Sequence, residues 1–499
     1  MASPLPNSVS KGSLAYDELR RRFFNGRVPD VHPAEIVSPT TTGEVVAAVK
    51  YARQRGLKIG VRSGGHLFFC NSLLERGLLI DTSSLNQNIQ YDAATEIAAV
   101  SPGHRVEAVI NYLRRINRFF PAGHSRTVAL GGFLLAGGQG WFMRGWGYTA
   151  DRWVAQLEIV TSDGEIVIAN KTQNADLFWA APGSGQGFFG VITRIWIKTI
   201  PARKLYDMTI IVDSTEIFRP LLKYVIETSK KVPKYGVDLF FATFYADKDD
   251  PNGGHESKAK RVFFLINEIM FADSIEEAGV LASPWDTLPD EFKKHTVATI
   301  PLAERTWEEL WAAQESLQPQ GNGERWNVDS ILVDPNASDD DVIDAITPAL
   351  FDLPTRLSSG TFCPIDYYPD ERNQALSLPQ KAYVSTMLCW KDAKHDGVVD
   401  KWLLDAYTKA DKVSSGLYVA DFNVKHRKPK VSCRRPWLMC ANRTDMSQVM
   451  TDSALKKWLL IREKWDPSEM FIGHRGFAST LDMPNAHQKI SVSHRSKLS

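Results

Sequence analysis

The spacing of apolar residues changes period repeatedly along the chain. Between Thr41 and Gly56 the apolar positions Val45, Ala48, Val49 and Ala52 recur at helical spacing. Thr41 and Glu44 predict a capping box ahead of that helix, and Gly56 a left-handed stop behind it. Residues 57–61 then alternate like a strand, which delivers Arg62-Ser63-Gly64-Gly65-His66 into a turn. A second strand and turn follow from Gly77. Val106, Val109, Ile110 and Leu113 stripe a helix that leads into residues 120–148. Residues 154–160 and 165–168 flank Ser162-Asp163-Gly164, the pattern of a hairpin. A further glycine turn, Gly183 to Gly187, precedes a strongly alternating strand.

Beyond Pro201 glycine thins out and longer strand signals appear, beginning at Val237, Arg261 and Lys381. The first two are separated by a polar loop containing Asn252-Gly253-Gly254 and predict an antiparallel hairpin. Helical patterns at 306–314 and 339–350 lie between strands, as in an antiparallel sheet with helices on one face. Residues 453–464 are amphipathic, with Leu455, Trp458 and Leu459 on one face, and Asp466-Pro467 ends the pattern. The organisation read from these shifts is an N-terminal extension (1–29), a glycine-punctuated domain (30–203), a sheet-rich domain (204–424) and a C-terminal segment (425–499) that returns to the first domain.

Composition narrows the function. The 499 residues are 43% hydrophobic and 23% charged, with a formal charge of +1, so there is no basic surplus for nucleic acid or an anionic membrane. No apolar run approaches a membrane span. Five cysteines without zinc-like pairing, and an N-terminus without an apolar core, lead to the expectation of a cytoplasmic enzyme with reduced thiols. The Ser-Lys-Leu near the C-terminus is followed by Ser499 and does not read as a peroxisomal address.

Candidate chemistry concentrates in residues 120–148, which hold eight glycines interleaved with apolar residues. A packed, glycine-rich segment of this kind suits close backbone approach to a flat or phosphorylated ligand. The two common phosphate cradles are absent: no GxxxxGK[ST] occurs, and the nearest glycine run, Gly183 to Gly187, opens a strand rather than a helix. No metal-ligand spacing and no GxSxG are present either.

Four segments in order, Arg62 to His66, AGHSRTVALGGFLLAGGQG from Ala122, TADRWVAQLEIVTSDGEI from Thr149 and DLFWAAPGSGQGFFGVIT from Asp176, resemble the FAD-binding domain of the vanillyl-alcohol oxidase superfamily. KWLLIREKWDPSEMFIGHRGF from Lys457 resembles the close of its berberine-bridge-enzyme-like branch. The resemblance implies an α+β fold: a PCMH-type FAD-binding domain of two α/β subdomains, plus a substrate domain with an antiparallel β-sheet backed by helices. It implies FAD held by a single covalent bond to His66. The matching positions for the cofactor are Arg62, Ser63, Gly64, Gly65, Gly123, Ser125, Val128, Gly131, Gly132, Gly137, Gly138, Ala150, Asp151, Ile192 and Asn442. Ser125 stands where bicovalent members carry cysteine, so a second bond is not expected. Leu130 stands near the position that gates oxygen in this branch.

The implied reaction is hydride removal from a carbon bearing OH or NH of a small-molecule substrate to the flavin, with O2 or another acceptor closing the cycle and H2O2 formed when O2 does so. The alternative is an intracellular dehydrogenase or an oxidative cyclase of secondary metabolism. The tyrosine base motif of the branch is altered to Cys440-Ala441-Asn442-Arg443. Tyr383, Tyr418 and Arg443 are therefore the catalytic candidates, with Asp238, Glu268 and Tyr367 as further acid–base groups.

Overall fold

Each predicted helix near the N-terminus forms for the reasons its sequence gives. In the computed structural model, which describes residues 5–247, 261–423 and 449–471, the helix Thr42–Gln54 buries Val45, Ala48, Val49 and Ala52. Thr41 Oγ1 accepts from Glu44 N at 3.2 Å, while the Glu44 carboxylate reaches Thr40 N at 2.6 Å, one residue earlier than a strict capping box. Gly56 takes φ +63° just past the helix. The helix Val106–Arg115 buries all four residues of its stripe.

The N-terminal half builds two main sheets. Glu35–Val37, Leu78–Asp81 and Ile59–Arg62 run parallel in that order, with Ser8–Ser10 antiparallel at the edge. The second sheet is antiparallel, in the order Gln90–Asp92, Ile97–Val100, Val191–Lys198, Val154–Val160 and Ile166–Ala169. Its last pair is the hairpin expected around Ser162-Asp163-Gly164.

From Lys204 onward one antiparallel sheet of eight strands dominates: Thr296–Arg305, Lys204–Asp213, Val262–Ala272, Val237–Tyr245, Ser359–Tyr367, Gln380–Trp390, Arg325–Val333 and Ser414–Gly416, in spatial order. The expected hairpin between the strands at 237 and 262 is present, with Tyr245 opposite Val262. Helices back one face. Thr243 Oγ1 and Thr386 Oγ1 bond the carbonyls of Leu350 and Ala349 on the helix Asp339–Phe351, and Phe241 stacks toward Trp285 at 5.7 Å. The opposite face of the sheet looks toward the glycine-rich turns.

The helix Trp307–Leu317, capped by a reciprocal Thr306–Glu309 box, closes one side of that gap. It is tied to the glycine-rich side by Arg126–Glu315 at 2.7 Å and Arg114–Glu308 at 2.7 Å. Near the C-terminus, the helix Asp452–Trp465 packs back on the first half: Trp458 Nε1 donates to Ser184 Oγ at 2.6 Å, and Ile59 N to Met470 O at 2.8 Å.

Candidate active site

The strand Ile59–Arg62 ends in a turn fixed from both sides. Gly65 has φ +69°, and a side chain there would lie 2.7 Å from the Arg22 carbonyl; one on Gly64 would meet Ala129 at 2.8 Å. The Arg62 guanidinium turns away to the buried Asp81, with Nε donating at 2.9 Å and Nη2 to the same oxygen; Arg22 reaches that oxygen too, at 2.6 Å. Burial pushes the Asp81 carboxyl up, but the Arg62 and Arg22 charges outweigh it and hold the carboxyl below its ordinary value. His66 leaves this turn and stacks on Phe24 at 4.8 Å. Burial, and then the Arg105 charge, lower its pKa to about 4, so the imidazole is neutral at working pH.

A cavity of about 590 Å³ runs from this turn to the open face of the eight-stranded sheet, a size suited to a small-molecule site. The sheet contributes by strand alternation. Asp238, Phe240 and Phe244 face it from one strand, and Leu265, Asn267 and Ile269 from the next. Apart from Asn267 and Asp238 these are apolar.

Two titratable pairs lie on the cavity wall. Tyr383, on the strand Gln380–Trp390, donates its hydroxyl to Asp421 Oδ2 at 2.8 Å. Asp421 is brought there by the turn that follows the last strand, where its N–H bonds the Tyr418 carbonyl at 3.0 Å. Burial raises the Asp421 carboxyl to about 6, the Tyr383 bond opposing it. Burial, reinforced by Asp421, raises the Tyr383 phenol far above its usual value. At neutral pH the pair is therefore a carboxylate held by a protonated phenol. The second pair is His124 Nε2 and Asp238 Oδ2, 2.8 Å apart.

The expected cofactor residues divide. Arg62, Ser63, Gly64, Gly65, His66, Gly123, Ser125, Val128, Gly131, Gly132 and Ile192 line the cavity. Gly137, Gly138, Ala150 and Asp151 stand off its wall. Ala150 N and Thr149 N bond the carbonyls of Gly137 and Gly138, closing a turn, and Asp151 accepts from Tyr367 at 2.9 Å. Arg62 is on the wall, yet its Nε and Nη2 are committed to Asp81.

Among the catalytic candidates, Tyr383 and Tyr418 line the cavity. Tyr367 is bound to Asp151 instead, and Glu268 faces the helix side of the sheet, because it alternates with Asn267 and Ile269. Leu130 is fully buried in the core while Ala129 and Gly131 reach the wall, so the oxygen-gate expectation does not fit this geometry. Asn442 and Arg443 lie outside the described residues.

Sequence reading missed Asp421 and the chemistry of His124. His124 lies in the glycine-rich stretch, but its partner Asp238 is 114 residues away and no local pattern joins them. Asp421 follows a strand of only three residues, and its role depends on a turn that periodicity does not report.

The wall fits FAD. Gly132 lines the cavity, and a side chain there would meet nothing within 4 Å, so the wall is left open for a ligand. Among the described residues, buried polar atoms on the same wall lack protein partners: Arg62 Nη1, Ser72 Oγ and Gln186 Oε1. No lysine lines the cavity among the described residues, which suits phosphates held by backbone amides at glycine turns. Among the described residues no cluster of His, Cys, Asp or Glu is arranged to hold a metal ion, and no helix is long and apolar enough to cross a membrane.

Comparison with known proteins agrees with this chemistry. The family described as "FAD binding domain" matches residues 33–170. The chain is 28% identical over 421 residues to the FAD-linked oxidoreductase janO of Penicillium janthinellum, covering 83% of this chain and 88% of that protein. It is 27% identical over 476 residues to the FAD-linked oxidoreductase nodO of Hypoxylon pulicicidum, covering 94% and 97%. Its fold is similar to that of wild-type BBE-like 1 of Physcomitrella patens, with a TM-score of 0.75 at 18% identity, over 93% of this chain and 95% of that one. With an FAD-binding domain over residues 33–170 and FAD-linked oxidoreductases similar over most of its length, the chain is an FAD-dependent oxidoreductase, and its fold is similar to that of berberine-bridge-enzyme-like proteins.

Proposed function

We propose that this protein removes a hydride from a carbon bearing OH or NH of a small organic substrate, with Asp421 as the base. The observation that carries this reading is the Asp421–Tyr383 pair on the wall of the cavity that the glycine turns also line. FAD, when bound, supplies a two-electron hydride acceptor that O2 can reoxidise to give H2O2.

The protein's part is positioning and proton transfer. Asp421, with a carboxyl near 6, is ionised at pH 7 and accepts the proton of the substrate OH or NH. Tyr383 keeps its proton and orients the carboxylate. Phe240, Phe244 and Ile269 exclude water from the sheet side of the site. Gly64, Gly65, Gly123, Gly131 and Gly132 let backbone approach the cofactor, and the neutral His66 offers the lone pair needed for a single covalent bond to the flavin. Ser125 has no thiol for a second.

An anaerobic compound screen that follows flavin bleaching tests the reading. Bleaching, followed on admission of air by one H2O2 per flavin, is the expected result. Bleaching without peroxide selects a dehydrogenase or oxidative cyclase instead. A flavin that no alcohol or amine reduces overturns the reaction class.

A further inference from the structure

The cavity carries more proton-handling machinery than one hydride removal uses. His124 and Asp238 lie on its wall with the buried and exposed roles of an oriented acid–base pair. The Asp238 side chain is 11% exposed, whereas that of His124 is 35% exposed. The same Asp238 oxygen also accepts Phe142 N–H at 3.2 Å, which fixes the carboxylate. The His124 ring packs on Trp141 with centroids 4.3 Å apart. A carboxylate only accepts, so Nε2 carries the hydrogen of the neutral ring, and Nδ1 is the atom that takes up a proton.

This pair does not share a proton with Asp421. Asp238 is on the strand Val237–Tyr245 and Tyr383 on Gln380–Trp390, with Ser359–Tyr367 between them. Two strand spacings, roughly 10 Å, separate the strand that carries Asp238 from the one that carries Tyr383. Phe240 and Cys363 line the wall as well, from the first strand and from the one between.

We propose that His124 is a second catalytic acid–base residue of this site, positioned by Asp238, and that the substrate carries a second O–H or N–H group at the Asp238 end of the cavity, away from the carbon that is oxidised beside Asp421. The inference rests on the oxidoreductase reading and deepens it. In the step assigned to His124, the distal O–H or N–H bond breaks and the proton moves to Nδ1. The electron pair stays on the substrate heteroatom. Asp238 stabilises the imidazolium, which returns its proton to product or water. No oxidant is consumed. The substrate implied is an elongated molecule with two protic groups.

The charged and titratable groups near this pair are few. Cys363 faces Asp238 from the neighbouring strand, and Arg144 lies within electrostatic reach of Asp238 from the glycine-rich segment, with Glu268 beyond it. Arg126, two residues after His124, is turned away to Glu315.

Nitrogen-15 histidine NMR on the holoenzyme tests the pairing without a substrate. His124→Gln assigns the signal, and Asp238→Asn keeps an acceptor for Phe142 N–H. The expected result is an Nε2–H tautomer in the wild type that gives way toward Nδ1–H when Asp238 becomes Asn. An Nδ1–H tautomer in the wild type, or an imidazolium throughout pH 5–9, overturns the proposal.

With any compound that bleaches the flavin, His124→Gln should lower kcat/KM by about 100-fold or more and remove one ionisation from its pH profile. The visible flavin spectrum should not change. An unaltered profile overturns the catalytic role. Failure of every compound to bleach the flavin counts against the oxidoreductase reading, and the NMR titration still judges His124 on its own.

Discussion

His66 is the residue at which sequence and structure bear most directly on one chemical step. Its strand, its Gly-Gly turn and its neutral imidazole are compatible with the covalent flavin link proposed above, since a protonated ring has no free lone pair. His66→Ala is expected to retain flavin in the folded protein and release all of it on denaturation. The wild type should keep fluorescence on a denaturing gel. Fluorescence that persists in the variant would reveal a second linkage and would contradict the single-bond reading drawn from Ser125. Residue identity was legible here because a strand, two glycines and a histidine form a short contiguous motif. Asp421 and Asp238 were less so. A side chain's place on a wall depends on which strand neighbours which, and the order of eight strands is not written in any local window. Glu268 shows the cost: one register step from Asn267, it points to the opposite face.

At the scale of elements, local signals carried well and long-range pairings did not. The helices Thr42–Gln54, Val106–Arg115 and Asp452–Trp465 and the hairpin at 154–169 followed from periodicity, capping and turn chemistry. The strands Lys204–Asp213, Arg325–Val333 and Ser359–Tyr367 were not singled out. Several are buried on both faces, so polar and apolar residues do not alternate cleanly along them. The short helix Leu130–Leu135 decides a functional question. It presents Gly131 and Gly132 to the cavity and Leu130 to the core. Leu130→Val is therefore expected to lower stability by about 1 kcal/mol, as for loss of one buried methylene. Reoxidation of the reduced enzyme should proceed at the wild-type rate. Faster reoxidation in stopped flow would return Leu130 to a gating role.

Over the whole molecule, the eight-stranded sheet stands between two acids. Asp421, half-buried, lines the cavity, whereas Glu268 sits on the helix side. Glu268 is fully buried, and among the described residues neither of its carboxyl oxygens has a hydrogen-bond partner. Burial raises it to about 8, Arg144 lowering and Asp286 raising it in smaller measure. Its folded value lies above its unfolded one, so the unfolded chain loses this proton first as pH rises. The stabilisation is fully present below about pH 4.5 and is lost as pH climbs through about 8. Glu268→Gln should remove that part of the pH dependence of thermal unfolding. Parallel wild-type and variant curves from pH 5 to 8 would show that the carboxyl is ionised in the folded protein.

The proposed reaction turns on Asp421 acting as a base beside the cofactor. The measurement that bears on it most directly is the anaerobic rate of flavin bleaching against pH, for wild type and Asp421→Asn. The wild-type rate should fall as pH drops through about 6, where the carboxylate takes up a proton. The variant should be slower by roughly 100- to 10,000-fold and lose that acid limb, with its flavin spectrum unchanged. An Asp421→Asn enzyme that bleaches at the wild-type rate, with the acid limb intact, would contradict the central claim.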